Sequence, residues 1–165
     1  MQEWLTSVIG ELSPTLKIIA TFLISMVPII ELRGAIPVAA AVDLAPYVSI
    51  PLAMIGNLVP VPFIILFIKK IFALMRKGNR FLNKVVDKME AKAEKNKAKV
   101  LRYAFWGLAI FVAIPLPGTG AWTGALVAAM LDMPLKKAFP SILVGVVIAG
   151  TIIGLGAYGI VSIFA

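Results

Sequence analysis

The chain has 165 residues, of which 61% are hydrophobic, and it carries a formal net charge of +8. Because a soluble domain is only about 45–50% apolar, this composition excludes an ordinary soluble domain and favours the lipid bilayer as solvent. The sequence contains no cysteine and no histidine, which excludes disulfides and leaves proton chemistry to a few carboxylates.

The first two apolar segments, Thr15–Ile30 and Gly34–Val42, are shorter than the roughly 20 residues that a helix needs to cross the hydrocarbon core. They are joined by ELRG (residues 31–34), where glycine permits tight backbone geometry, and Pro28 ends the helix before it. Paired short apolar helices are typical of a re-entrant hairpin, whose broken backbone is tolerated where protein or water covers it. The sequence therefore predicts a re-entrant hairpin with ELRG at its tip.

A third apolar segment, Val48–Ile68, is long enough to span the bilayer, and a strongly basic region follows it. This region, Lys69–Arg102, holds twelve of the 16 lysines and arginines, which is typical of a cytoplasmic loop rather than of a nucleic-acid site. Apolar and basic residues recur in it at helical spacing, which predicts an amphipathic helix along the anionic cytoplasmic leaflet. The helix either only anchors the protein or also recruits partners. The apolar set is Phe81, Leu82, Val85, Val86 and Met89, and the basic set is Lys84, Lys88, Lys92, Lys95 and Lys99.

The second half of the chain repeats this order of segments. Two short apolar segments, Tyr103–Ile114 and Gly120–Leu131, flank the turn sequence PLPGTG (residues 115–120). A long apolar segment, Phe139–Ala165, then follows. We therefore predict a second re-entrant hairpin and a second membrane-spanning helix.

The two halves are also similar residue by residue. The arm after the first tip reads RGAIPVAAAVDLAP, and the arm after the second reads TGAWTGALVAAMLDMP. The long segments then begin PLAMIG and PSILVG, with proline and glycine at the same spacing and 89 residues apart. The shared order of elements indicates an internal repeat.

A hairpin returns to its own side of the membrane, so each half crosses the bilayer once and the two repeats are inverted. With the basic region in the cytoplasm, both termini fall outside. The turn after the first arm, Asp43–Tyr47, contains no lysine or arginine, whereas the turn after the second contains Lys136 and Lys137. The predicted fold is an all-α integral membrane protein with a single membrane domain of two inverted repeats. Repeat one covers about residues 14–75, the cytoplasmic basic helix about 76–100, and repeat two about 101–165.

Two charged residues stand inside the first hairpin. A charged side chain at the bilayer centre costs roughly 2.5–3.5 kcal/mol on insertion scales, so such residues usually face a cavity and pair. Arg33 is suited to bind a phosphate or carboxylate, and Glu31 is suited to carry a proton. In the alternative, the two neutralise each other and only hold the turn. Gly34 and Pro37 complete the candidate site at this tip.

The second tip has no charge, but its prolines and glycines leave backbone groups outside helical hydrogen bonding. The helix N-terminus near Gly120 would present a partial positive charge to an anion. A purely structural turn is the alternative. The candidate binding residues here are Pro115, Pro117, Gly118, Thr119, Gly120, Trp122 and Thr123.

Three other polar residues stand out. Asp43 and Asp132 are predicted to be turn or capping residues, with Asp132 pairing with Lys136. Asn57 either forms a polar contact between helices or faces the transport pathway. No phosphate-binding loop, nucleophile–base pair or metal-ligand spacing is present, so we predict neither enzyme activity nor a cofactor or metal.

The motifs ELRGAIP (residues 31–37) and PLPGTGAWTGAL (residues 115–126) resemble the family of putative small multidrug export proteins, over nearly the whole chain. More distantly, the sequence resembles the DedA superfamily, whose members have paired re-entrant hairpins, membrane-embedded Glu and Arg, and a role in lipid-carrier transport. The resemblance implies a transporter of the cytoplasmic membrane. We predict proton- or ion-coupled movement of a small amphiphilic or anionic lipid-like substrate past the two tips, in a homodimer. The alternative is a non-transporting scaffold or assembly protein that binds anionic lipid or partners.

Overall fold

A computed structural model describes residues 13–78, 80–101, 104–116 and 118–164 of the chain. Every regular element within these residues is an α-helix, so the predicted all-helical class is confirmed. Two of the described helical stretches, Pro46–Met75 and Leu135–Gly159, are long and apolar enough to cross a membrane. The helices are α1 (Pro14–Met26), α2 (Glu31–Ala41), α3 (Pro46–Leu58), α4 (Pro60–Met75), α5 (Arg80–Leu101), α6 (Ala104–Ala113), α7 (Ala121–Met130) and α8 (Leu135–Phe164).

The chain divides into two compact units. The first unit contains α1, α2, α3 and the part of α8 that begins at Val146, and the second contains residues 60–145. In the first unit, α1, α2 and α3 all pack against one another. The end of α8 joins them because Gly150 lies against Met54 and Gly154 lies against Ile50.

A hydrogen-bonded tyrosine fixes this end of α8 within the first unit. The Tyr158 hydroxyl donates to the carbonyl oxygen of Leu44 at 2.6 Å, and it is also hydrogen-bonded to the buried Ser49 hydroxyl. Buried polar groups need hydrogen-bond partners because burial removes them from water. Tyr158 lies more than a hundred positions from Leu44 and from Ser49 in the sequence, so no local pattern predicts this network.

In the second unit, α7 packs against α4, α5 and α6. Gly124 lies against Val112, and the Ser141 hydroxyl donates to the carbonyl oxygen of Phe105 at 2.5 Å. The predicted amphipathic helix is present as α5. On its apolar face Val86 is fully buried in the unit, whereas Phe81 is 71% exposed.

An arginine joins the end of α4 to α5. Arg76 contacts Asp87 at 3.0 Å and Glu90 at 2.6 Å. The hydrogen bond to Glu90 is the main cause that raises the pKa of the Arg76 guanidinium. All three side chains are substantially exposed, so this cluster contributes little to stability.

The first long apolar stretch is divided into two helices by prolines, although the backbone at Val59 stays helical. The sequence predicted a span of Val48–Ile68, but the helical stretch runs from Pro46 to Met75 and changes helix at Val59. Pro60 opens α4, where its missing N–H is tolerated. A proline there cannot donate to the carbonyl four residues earlier, which ends α3 at Leu58.

Glycine allows α3 to approach α1 closely. A Cβ atom on Gly56 would lie 2.6 Å from the carbonyl oxygen of Phe22 and 2.1 Å from the Ser25 hydroxyl oxygen. A Cβ atom on Gly145 in the second unit would similarly lie 2.6 Å from the carbonyl oxygen of Ala109. Backbone atoms cannot move away as a flexible side chain can, so neither position has room for a methyl group.

We expect Gly56→Ala to lower the free energy of unfolding by about 1–3 kcal/mol, the usual effect of forcing extra volume into a packed interface. Gly156→Ala is the matched control because, apart from the adjoining backbone of its own helix, no atom of the described residues lies within 4 Å of its Cβ position, and alanine is favoured over glycine in a helix by about 1 kcal/mol. Thermal unfolding of both variants in detergent, followed by circular dichroism, measures the difference. Equal melting temperatures for the two variants would contradict the close approach of α1 and α3.

Candidate functional site

The first turn lies earlier than the sequence predicted. Helix α1 ends at Met26, the turn is formed by residues 27–30, and ELRG forms the first turn of α2 instead of the tip. The amide N–H of Glu31 donates to the carbonyl oxygen of Val27 at 2.9 Å, which closes the turn. Pro28 accounts for the shift because its ring breaks the helix locally, so the chain reverses around it and resumes helix at Glu31.

Glu31 combines two unfavourable features. Its side chain is only 4% exposed, and its backbone has a positive φ of 52°. A left-handed conformation costs a non-glycine residue roughly 1–2 kcal/mol. Strained backbone at a buried acid inside an apolar bundle is typical of a functional residue.

Arg33 is two residues further along the same helical turn. Its side chain is partly exposed, in contrast to the buried Glu31, and the two charges interact electrostatically. The guanidinium group is therefore partly accessible while it interacts with the buried carboxylate.

Gly34 and Pro37 affect the packing and the hydrogen bonding of α2. Gly34 is buried in the helix, and a Cβ atom there would lie 2.2 Å from the Cγ2 atom of Ile30. Pro37 stands inside α2 and has no N–H, so it does not donate the helical hydrogen bond that the carbonyl of Arg33 would normally receive. Both residues shape the segment that carries Glu31 and Arg33.

The second tip lies between α6 and α7, as the sequence predicted. Gly118 and Gly120 have φ angles of 90° and 126°, conformations that favour glycine. The Thr119 hydroxyl lies 2.7 Å from the carbonyl oxygen of Ile114 and 2.8 Å from that of Leu116. The Thr119 hydroxyl donates its proton within the turn. Thr119 therefore stabilises the turn, whether or not it also contacts a ligand. Pro115 is exposed, and Pro117 lies outside the described residues.

Helix α7 begins at Ala121, next to the residue at which the sequence placed its start. Gly120 and Thr123 are buried, and Trp122 is partly buried. The first N–H groups of a helix have no partner within it. The start of α7 therefore supplies backbone donors beside these side chains.

The turns that follow α2 and α7 have the same hydrogen bonds. Asp43 and Asp132 both adopt left-handed backbone, with φ of 59° and 53°. Both are therefore turn residues, as predicted. In each turn the residue before the aspartate donates to a carbonyl four residues back, and the residue after it to one five residues back. These bonds are Val42 to Val38, Leu44 to Ala39, Leu131 to Val127 and Met133 to Ala128.

The predicted pairing of Asp132 with Lys136 is wrong. Asp132 instead contacts Lys69 of α4, with 2.5 Å between Oδ1 and Nζ. The left-handed backbone at Asp132 ends helical geometry, and α8 starts only at Leu135. Lys136 is therefore not one helical turn from Asp132, and the expected spacing does not apply.

One polar contact of the first unit, made by Lys17, had no signal that sequence reasoning used, whereas Asn57 was among the polar residues that the sequence singled out. The Lys17 ammonium of α1 donates to the carbonyl oxygen of Val42 at 3.0 Å, which satisfies the C-terminal end of α2. Asn57 is fully buried, and neither its amide oxygen nor its amide nitrogen has a hydrogen-bond partner. Among the described residues, no group of three or more Asp and Glu side chains could hold a metal ion.

The structure thus gathers the first set of candidate residues, Glu31, Arg33, Gly34 and Pro37, on α2. The second set lies at the α6–α7 turn and the start of α7. A family model described as Putative small multi-drug export protein matches residues 31–152. The chain belongs to this family.

The match to the small multi-drug export family begins at Glu31 and therefore includes both ELRGAIP and PLPGTGAWTGAL. No curated protein and no solved structure has significant similarity to the chain. The family name gives the protein a coarse role in export. Together with its two long apolar helices, it indicates a membrane protein.

Proposed function

We propose that this member of the family is a proton- or ion-coupled transporter of the cytoplasmic membrane that moves a small amphiphilic or lipid-like substrate. The observation that carries the proposal is Glu31, an acid that is 4% exposed and held in left-handed backbone at the start of α2. An apolar helix bundle has no structural need for a strained, buried carboxylate. Proton exchange during transport explains why a buried carboxylate stands at this position.

Arg33 binds the anionic group of the substrate. Its fork of donors matches a phosphate or carboxylate, and its partial exposure leaves it accessible beside the buried Glu31. In the second unit, the glycine turn at 118–120 leads into the start of α7, where Trp122 is partly buried and Thr123 is buried. The roles proposed for Arg33 and Glu31 are those of a transporter rather than of an enzyme, because substrate binding and proton exchange require no nucleophile.

The finer architecture is part of the proposal. Helices α1, α2 and α7 have 13, 11 and 10 residues, too few to cross a core that needs roughly 20. These lengths support two re-entrant hairpins, as in the DedA superfamily. The shared hydrogen bonds of the two turns support a repeat, which is inverted if the basic region is cytoplasmic and both termini lie outside.

A homodimer completes the proposed assembly. The described residues contain two long apolar helical stretches, which are few to enclose a pathway through the bilayer. Exposed apolar side chains such as Phe63 and Leu155, 62% and 72% exposed, provide surface for lipid or for a second copy. Cross-linking in native membranes is expected to yield a dimer.

Uptake by proteoliposomes tests the proposed function. Purified protein is reconstituted in phosphatidylethanolamine–phosphatidylglycerol vesicles, and the flux of an anionic fluorescent amphiphile is measured with and without an imposed proton or sodium gradient. We expect a gradient-dependent flux that empty vesicles lack. Flux equal to that of empty vesicles under every gradient would contradict a transporter.

The scaffold alternative is tested in the same preparation. Lys84 and Lys88 are exposed on α5, and replacing both by glutamine weakens attraction to anionic lipid by about 1 kcal/mol for each charge. A transporter retains its flux when these lysines are neutralised and loses it when Arg33 is changed. A scaffold gives no flux in any variant, and its binding to the anionic vesicles falls when the lysines are neutralised but not when Arg33 is changed.

A further inference from the structure

Asn57 is a buried amide without a partner. It lies on α3 in the first unit with 0% exposure, and neither Oδ1 nor Nδ2 is hydrogen-bonded within the described structure. Neighbouring buried hydroxyls of the same unit are satisfied: Thr21 donates to the Lys17 carbonyl at 2.8 Å, and Ser25 donates to the Phe22 carbonyl at 2.7 Å. Native proteins rarely leave a buried polar side chain unpaired without a further reason.

Packing does not require an amide at this position. The stretch PLAMIGN that contains Asn57 corresponds to PSILVGV, so Val146 stands 89 residues after Asn57. Val146 is also 0% exposed. Each follows a glycine whose Cβ position lies 2.6 Å from a backbone carbonyl oxygen of another helix. The chain therefore fills the corresponding position with an apolar side chain of similar size.

Main-chain acceptors lie on both sides of Asn57. Helix α3 ends at Leu58, and the residues at 60 and 62 are prolines. Because proline has no N–H, the carbonyls of Gly56 and Leu58 lack the donor four residues on that a continuous helix would supply. An unsatisfied amide and two such carbonyls thus occur together where the long helical stretch changes helix. Val59 keeps helical backbone, with φ of −54° and ψ of −47°, and its N–H donates to the carbonyl oxygen of Ile55, so the stretch stays helical while these two carbonyls lose their usual helical donors.

The chemistry of the amide selects the ligand. Nδ2 needs an acceptor, whereas Oδ1 and the carbonyls need donors. A bare cation satisfies only the oxygens, and a carboxylate satisfies only the nitrogen. A hydroxyl group both accepts and donates. We propose that Asn57 binds a hydroxyl group of an amphiphilic ligand inside the first unit, and that the amide is retained for this contact at the expense of stability.

This inference rests on the proposed transport function for the origin of the ligand, but its test measures binding alone. Thermal unfolding is recorded in phosphatidylcholine–phosphatidylglycerol nanodiscs for the wild-type protein and for Asn57→Val, the residue that the chain carries at 146. Without ligand, Asn57→Val is expected to raise the melting temperature by about 2–4 °C, the change that follows from 1 kcal/mol in a chain of this size. Removal of a buried, unpaired amide is the cause.

The probes are decanol and decyl methyl ether, which differ in the hydroxyl proton. We expect decanol to stabilise the wild-type protein more than the ether does, and Asn57→Val to lose this preference. Ser25→Ala is the control: it removes a buried hydroxyl that already has a partner, and it should keep the preference. If Asn57→Val fails to fold, Asn57→Ala replaces it in the probe comparison.

Two results would overturn the inference. A lower melting temperature for Asn57→Val shows that the amide supports the fold. Equal shifts of the wild-type melting temperature with decanol and with decyl methyl ether show that only water contacts the amide. A protein that discriminates the probes but gives no flux in proteoliposomes contradicts the transport function and leaves the Asn57 site standing.

Discussion

Replacement of Glu31 by glutamine is expected to reduce gradient-driven flux in proteoliposomes to the level of empty vesicles. Glutamine has nearly the same shape and can occupy the same buried place, but it cannot exchange a proton. We expect the free energy of unfolding to change by no more than about 1 kcal/mol, since most hydrogen bonds to the carboxylate can be replaced by the amide. Flux and thermal unfolding of the same preparation measure the two effects.

Stability separates the two interpretations of Glu31. If the carboxylate only neutralises Arg33, its loss leaves a partly buried positive charge, which costs about 3–5 kcal/mol in buried pairs. If it serves transport, Glu31→Gln unfolds near the wild-type temperature. Retained flux in a folded variant would remove Glu31 from the mechanism.

Glu31→Gly is the matched variant for the backbone. Glycine accepts the φ of 52° at this position without strain. Removal of the strain is expected to raise the free energy of unfolding by roughly 1–2 kcal/mol. The greater flexibility of glycine in the unfolded chain offsets this gain. A variant that unfolds at or above the wild-type temperature and has no flux would show that strain is maintained for function. A large loss of stability would instead assign Glu31 to the fold.

The segments with strong local signals were the predictable part of this fold. PLPGTG contains its own turn chemistry, and the structure has left-handed glycines at 118 and 120 with α7 starting directly afterwards. The aspartates at 43 and 132 were likewise recognised as turn residues, because short polar side chains tolerate left-handed backbone. Helix α5 followed from its periodic pattern.

What sequence reasoning missed depends on distant contacts or on competition between signals. In PIIELRG the turn signals of Pro28 and Gly34 lie on either side of Glu31, and the proline decided where the turn formed. No composition rule predicts positive φ at a glutamate, because such strain is imposed by surrounding packing. Likewise, Asp132 contacts Lys69, which is 63 residues away in sequence, in place of its near neighbour.

Arg33→Lys is expected to weaken substrate binding while Arg33→Ala abolishes flux. Lysine keeps the charge but lacks the planar fork that grips two oxygens at once. Loss of one charge-assisted hydrogen bond corresponds to about 1.5–3 kcal/mol, or roughly tenfold to a hundredfold in apparent affinity. The dependence of initial flux on substrate concentration measures this change. Arg76→Lys is the control, because Arg76 is exposed and bound to Asp87 and Glu90 on α5.

The double variant Glu31→Gln with Arg33→Gln decides whether the two residues serve each other or a ligand. A mutual ion pair can be replaced by a neutral pair with little loss, so the double variant would then recover both the stability and the flux that the single variants lose. In a double-mutant cycle this recovery appears as a large coupling energy. We expect only a small coupling energy in stability, because Glu31→Gln alone unfolds near the wild-type temperature, and we expect the flux to remain absent, because an uncharged pair neither carries a proton nor binds an anion.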